Sequence, residues 1–285
     1  MTLATARTQK NRFLRTNLVV GVVLVSLIFL MAIIGFFWTP FDPDQLAIGT
    51  RLSGPGENGH VLGSDSGGRD VLSLLMVGAR TSVFVASISS LLALGFGTLF
   101  GGIAAVRTGV VDEMVMRGAD ILYAFPAVIF AVVLAATLGS GVSTAVIAIV
   151  VIFTPTTARL VRGVSLQIMS RDWVLAARAY GRSKARIYVR QVLPNMSAIL
   201  IVQWALLFAV AILVEAALAY LGIGVQPPTP SWGRMLRDAQ EFLSIQPLLA
   251  VWPGLCIVIT VLGVNLIGDG LRDVLDPRLD ETVRQ

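Results

Sequence analysis

The sequence predicts an all-α integral membrane protein with six transmembrane helices and both termini in the cytoplasm. Three observations predict it. The 285 residues are 55% hydrophobic and only 14% charged, with a mean hydropathy of +0.80, a balance outside the range of ordinary soluble domains. Several uncharged runs reach the roughly 20 residues that a helix needs to cross a hydrocarbon core. Basic residues gather beside apolar runs, four in residues 1–17 and eight in residues 159–194, as orientation signals do.

Residues 1–17 carry Arg7, Lys10, Arg12 and Arg15 with no acid and read as a cytoplasmic tail. Leu18–Trp38 is uncharged. It is long for the apolar part of a leader, and no small-x-small cleavage site follows, so it reads as an uncleaved first span with Trp38 at the far interface. Residues 39–80 form an outer loop rich in Pro, Gly and Asp, with five acids against three arginines. Near its end Val71, Leu74, Leu75 and Gly78 are spaced for a short helix leading into the next span. That second span is Thr81–Val106, bounded by Arg80 and Arg107. Its Gly97 and Gly101 form a GxxxG pair suited to close approach of another helix, within the chain or between chains.

Thr108–Gly118 reads as a short cytoplasmic loop holding Asp112, Glu113 and Arg117. The next 38 residues, Ile121–Ala158, are uncharged, too many for one span. Gly139-Ser140-Gly141 breaks them into a helical hairpin with its tip outside. Pro126 and Pro155 are expected inside these two helices as kinks. The basic segment 159–194 follows on the inside. Residues 195–217 make the fifth span, Leu218–Gln246 a second outer loop, and Leu248–Ile267 a sixth span kinked by Pro253. The end of the chain, residues 273–285, is a polar cytoplasmic tail.

The basic segment is the only long polar stretch in the second half of the chain. Its eight cations face one acid, Asp172. Leu166, Met169, Trp173, Ala176, Ala177 and Tyr180 fall on one stripe at helical spacing. Gly181 is placed to end that helix as a left-handed cap. Ser183 is placed to cap a second short helix through Leu193, and Pro194 begins the next segment. Two short amphipathic helices joined at a glycine suit a docking element for a cytoplasmic partner. They equally suit an interfacial helix with its arginines on anionic headgroups.

Other chemistry is poorly supplied. The two lysines, Lys10 and Lys184, follow Gln and Ser, so no P-loop exists in the chain. A single histidine, His60, reads as a solvated loop residue and excludes His-based metal clusters. A single cysteine, Cys256, lies in an apolar run; it excludes an intrachain disulfide and reads as a small core residue. The basic balance does not point to nucleic acid, since the cations sit beside spans. The chain therefore reads as non-catalytic, with no cofactor or metal of its own. Glu215 is the one acid placed within a span. It reads either as a residue of a translocation path or gate, or as a structural group paired with a neighbouring helix. Asp120 and Asp269 sit at span boundaries, and one deep acid is a thin basis for an ion-driven carrier.

The segment Ala176-Ala177-Arg178-Ala179-Tyr180-Gly181, with Pro194 thirteen residues after the glycine, resembles the EAA loop of ABC importer permeases. Ala176, Ala177, Gly181, Leu193 and Pro194 match that pattern. Leu175 stands where Glu is usual, and Gln191 where Ile is usual. The resemblance extends to HVLGSDSGGRDVLSLLMVGARTS, ADILYAFPAVI, TARLVRG, LAYLGIGVQPPTPSWGRML and NLIGDGLRDVLDPRL. All are similar to the second permease subunit of dipeptide, oligopeptide and nickel importers. It implies the type I importer permease fold, with a core of spans two to six over residues 81–272, in a bacterial inner membrane. It implies as partners a homologous permease, one or two P-loop ATPase subunits that use ATP and Mg, and an extracytoplasmic binding protein, besides membrane lipid. Coupling to the ATPases would then rest on Trp173, Ala176, Ala177, Arg178, Gly181, Ser183, Leu193 and Pro194. The loop Gly222–Trp232 would help to receive the binding protein. Peptide is the expected cargo; nickel or another small solute is the alternative within the family, and an autonomous secondary carrier the alternative outside it.

Overall fold

The computed structural model describes the backbone of residues 2–275 and the side chains of residues 16–272. The charged side chains of the N-terminal tail before residue 16 and most of the polar tail 273–285 lie outside the described residues. The regular structure is helical; the only extended pairing among the described residues is an isolated bridge between Ser64 and Asp70.

Helix α1 runs Thr2–Phe37, so the polar stretch expected as a tail continues the first span as helix. Helix α2 runs Val71–Val106 without a break. The expected short helix and second span are thus one element of 36 residues, about 54 Å long at 1.5 Å per residue. Its start is fixed by Asp70, whose carboxylate accepts from the Ser73 backbone N–H at 2.8 Å. The same carboxylate receives His60 Nδ1 at 3.0 Å, and the imidazole lies 4.6 Å from the Phe41 ring. His60 is therefore buried, not solvated: the loop 39–70 folds back on the α2 N-terminus and uses the histidine as a polar tie.

The third span also departs from expectation. The residues expected as a cytoplasmic loop are mostly helical, because α3 begins at Val110 and ends at Ala124. The chain then bends by 88° into α4, Ala127–Leu138. Pro126 sits at this bend rather than inside a helix. The cause is local: proline forces Phe125 into the extended region, φ −80° and ψ 130°, and removes an amide from the helical ladder. The Gly139–Gly141 break falls where it was expected, before α5, Val142–Met169, which carries Pro155 inside it.

Short helices α6 (Asp172–Ala179), α7 (Lys184–Ile187) and α8 (Leu193–Asn195) follow, with a π turn, Tyr188–Val192, between the last two. The long helix α9 spans Ser197–Tyr220. The second loop contains a helix of its own, α10 (Trp232–Ala239), before α11, Leu248–Leu275, with Pro253 inside. Among the described residues five helices are long and apolar enough to cross a membrane, and the bent α3–α4 pair makes a sixth crossing possible.

Glycines set the closest helix contacts. A Cβ on Gly97 would strike the Thr157 side chain, and one on Gly101 the Ala158 carbonyl. The GxxxG pair thus packs α2 on α5 within the chain. Gly21 and Gly263 do the same for α1 and α11. Around these contacts Ile28, Val85, Ile149, Phe208, Ile212 and Trp232 form the main core. A second cluster at the basic end gathers Val161, Met169, Val174, Ile187, Val192 and Met196.

Gly101→Leu is expected to cost about 1–3 kcal/mol or more through overpacking and to lower the yield of monodisperse protein. Gly95→Ala meets no atom within 4 Å and is expected to gain up to about 1 kcal/mol of helix stability. Thermal denaturation of the two variants in one detergent checks the contrast.

Candidate functional site

The basic end of the bundle is built on a two-residue turn. Helix α5 closes at Met169, and Ser170 and Arg171 return their amides to Leu166 and Ile168 carbonyls at 3.1 and 3.2 Å. Helix α6 then starts with Asp172 in its first turn and ends with Arg178 in its last, both favourable to the helix dipole. Its end is a Schellman cap. The Arg182 amide reaches the Ala177 carbonyl at 3.2 Å and the Gly181 amide the Arg178 carbonyl at 2.9 Å, with Gly181 at φ +78°. Ser183 caps α7 with its hydroxyl 3.4 Å from the Arg186 amide. Gly181 and Ser183 thus stand where the sequence put them.

The apolar stripe does not. It assumed one helix from Leu166 to Tyr180, but the Ser170–Arg171 turn resets the helical phase. Leu166 and Met169 belong to α5 and pack into the second cluster. In α6 the fully buried residue is Val174, which meets that cluster. Ala177 is half-buried and packs beside it, and Arg178 is half-buried too. Trp173, Leu175 and Tyr180 are 39%, 50% and 88% exposed, and Ala176 is exposed with them. The sequence marks the reset with Asp172, an acid suited to the first turn of a new helix.

Beyond Gly181, Leu193 packs into the second cluster, and Pro194 lies exposed within α8. Tyr188 is buried, with its hydroxyl against the space left by Gly102 of α2, and burial pushes this phenol's pKa up. Of the eight cations in the segment, two are committed within the chain. Arg162 makes a two-pronged pair with Asp112 of α3 at 2.5 and 2.6 Å. Arg159 binds Asp120 of α3 at 2.7 Å and lies 4.7 Å over the Tyr123 ring. Arg171, Arg182, Lys184, Arg186 and Arg190 are exposed and make no ion pair among the described residues. The result is an exposed, mainly apolar face on α6 that also carries Asp172, beside a field of positive charge without ion-pair partners among the described residues.

Glu215 lies apart from this face. It is fully buried in α9, flanked by Ser82 of α2 and by Ser231. Neither hydroxyl makes a well-formed hydrogen bond with its oxygens. The adjacent Trp232 is completely buried; its amide donates to Ser82 Oγ and its indole to the Leu75 carbonyl, both at 3.2 Å. Gly233 lets this segment lie on the backbone of Ala216. Ser231-Trp232-Gly233 is thus a wedge between α2 and α9, a role hydropathy alone does not reveal. Among the described residues no three His, Cys, Asp or Glu side chains are grouped to hold a metal ion.

Residues 97–281 match the family described as "Binding-protein-dependent transport system inner membrane component". The chain belongs to this family of transport permeases. It is 37% identical over 273 residues to a glutathione transport system permease protein of Pectobacterium atrosepticum, covering 94% of this chain and 90% of the relative. It is 38% identical over 261 residues to a dipeptide transport system permease protein of Alkalihalophilus pseudofirmus, covering 92% and 86%. A putative peptide transport system permease protein of Brucella suis is 38% identical over 272 residues, covering 95% and 91%. Among solved structures, a chain of the inward-facing MetNI methionine ABC transporter superposes with a TM-score of 0.59 at 20% identity, covering 71% of this chain and 97% of that one. This likeness shows the fold, that of an ABC importer permease. The permease is accordingly a transport component of the bacterial inner membrane, from a family of subunits that are not themselves catalysts.

Gly181→Ala places a side chain at a left-handed φ and is expected to cost about 1–2 kcal/mol locally. Hydrogen exchange should accelerate roughly tenfold over residues 180–187 and stay unchanged in α9. Equal acceleration in α9 would mean that Gly181 does more than close α6.

Proposed function

We infer that the chain is one of two permease subunits of an ATP-driven importer, and that ATP-driven motion enters it through α6. The observation that carries this reading is the exposed face of Trp173, Leu175, Ala176 and Tyr180. A mainly apolar face held by a buried Val174, with unpaired cations in the segments before and after it, suits a protein groove with an acidic rim. The helix is tied to α5 by a two-residue turn and to α9 by the α7–α8 run. A push on it therefore moves two spans as rigid bodies. Trp173 and Ala176 meet the partner directly in this reading. Val174, Ala177 and Leu193 anchor the element, Arg178 borders it, and Gly181, Ser183 and Pro194 set its shape. Leu175 presents an apolar surface, so no carboxylate at this position takes part.

The partners are a homologous permease, one or two P-loop ATPases that bind ATP and Mg, and an extracytoplasmic binding protein. The excess of basic residues puts α6 on the cytoplasmic side and the loop Gly222–Trp232 outside, where it would receive the binding protein. The wedge at Trp232 joins that loop to α2 and α9, and Glu215 beneath it is assigned to the translocation path or its gate. The cargo is a short peptide. The relatives named for a dipeptide and for glutathione share amide-linked amino acids as cargo, and this chemistry favours peptide over nickel or another small solute.

Ala176→Arg in the whole transporter is expected to reduce substrate-stimulated ATP hydrolysis and uptake by at least about tenfold, since it places a buried charge in the docked interface. Assembly of the two permeases should persist. Unchanged uptake would refute docking through α6. Liposomes holding this chain alone should show no transport; uptake there would favour an autonomous carrier. Calorimetry with the cognate binding protein should give tight binding of di- or oligopeptides, and tight binding of a nickel chelate instead would replace the cargo.

A further inference from the structure

Where α1 ends, the structure holds a cavity of about 380 Å³. Phe36, Trp38, Asp44 and Arg80 line it, with Pro228–Pro230 on the far side. Gly35 lies directly on the Met76 carbonyl of α2, and Arg80, one turn further along α2, reaches Phe36 with its side chain. The Arg80 guanidinium sits 4.3 Å over the Phe36 ring. Neither Arg80 nor the exposed Asp44 carboxylate forms an ion pair among the described residues. The apolar span of α1 is Thr16–Phe37, so this level is where hydrocarbon gives way to headgroups. Below it Val23, Leu27, Leu30 and Ile33 are all exposed along α1 at helical spacing and lead up to Phe37 at the cavity itself, which makes a continuous apolar track.

We propose that this cavity binds the headgroup of a zwitterionic phospholipid with a primary ammonium. Its phosphate meets Arg80, its ammonium meets Asp44, and an acyl chain follows the exposed face of α1. The arrangement selects on three counts. The guanidinium is anchored on an aromatic face with its N–H donors free for phosphate. The carboxylate favours an ammonium that can donate hydrogen bonds over a quaternary one that cannot. The apolar track separates a lipid from free inorganic phosphate. The site lies at the opposite end of the bundle from α6 and stands independently of cargo.

The test uses the full-length chain with its co-purifying subunits in nanodiscs of equal parts phosphatidylethanolamine, phosphatidylcholine and phosphatidylglycerol. Lipid still bound after exchange into mild detergent is quantified by mass spectrometry. Phosphatidylethanolamine should be retained over phosphatidylcholine by about tenfold, the worth of one charge-assisted hydrogen bond. Arg80→Gln should lose the retained lipid and Arg80→Lys should keep it. Asp44→Asn should keep phospholipid but lose the preference for ethanolamine. This second variant lies in an exposed loop, so it decides the matter even if Arg80→Gln fails to assemble. Equal retention of the two lipids by the unmodified protein, or an ethanolamine preference that survives Asp44→Asn, overturns the proposal. So does photo-crosslinking from position 38 that captures a protein subunit instead of lipid.

Discussion

The absence of side chains at Gly97 and Gly101 is the constraint on which the rest of the bundle depends. In a membrane no water drives helices together, so association relies on close packing and on internally satisfied backbones. Two glycines one turn apart let α2 touch the backbone of α5 at Ala158. The next residue, Gly102, receives Tyr188 from the segment beyond α6. One small-residue ridge on α2 therefore places both the span before the basic segment and the segment itself. Arg162 and Arg159 lock the other side of α5 to α3 through Asp112 and Asp120. Between ridge and ion pairs, the end of α5 has little freedom to choose where α6 points.

This changes the meaning of the basic segment. Its charge looks uniform in the sequence, yet it divides by depth. Arg159 and Arg162 lie on the helical extension of α5 and find carboxylates inside the chain. The cations beyond Ser170 find none among the described residues. Charge near the span serves packing, and charge beyond the turn stays unpaired within the described residues. The apolar surface of α6 sits with the second group.

Hydropathy made the spans legible because burial in lipid demands long apolar runs, and the Gly139–Gly141 break was legible because glycine interrupts them. The capping residues Gly181 and Ser183 were equally readable, since their roles follow from local backbone chemistry. The failures share a cause. At Pro126 the sequence carries no tertiary information, and nothing in it distinguishes a kink from a right-angled break. The stripe from Leu166 to Tyr180 fitted a helix well until a two-residue turn reset its phase, which exchanged Val174 for Trp173 as the buried residue. Loop composition points to a solvated His60, whereas its burial depends on Asp70, ten residues away. The Trp232 wedge lay in a loop whose composition says nothing of what it is inserted between.

The lengths of α1 and α2 carry a mechanical consequence. The apolar stretch of α1 is 22 residues, about 33 Å, close to the thickness of an unstrained bilayer. Helix α2 exceeds that thickness by several turns, and its surplus is clothed by the folded loop 39–70. Hydrophobic mismatch is therefore felt at α1: a thinner or thicker bilayer must tilt this peripheral helix or deform around it. Because α1 leans on α11 through Gly21 and Gly263, bilayer thickness becomes a variable that reaches the bundle through its edge.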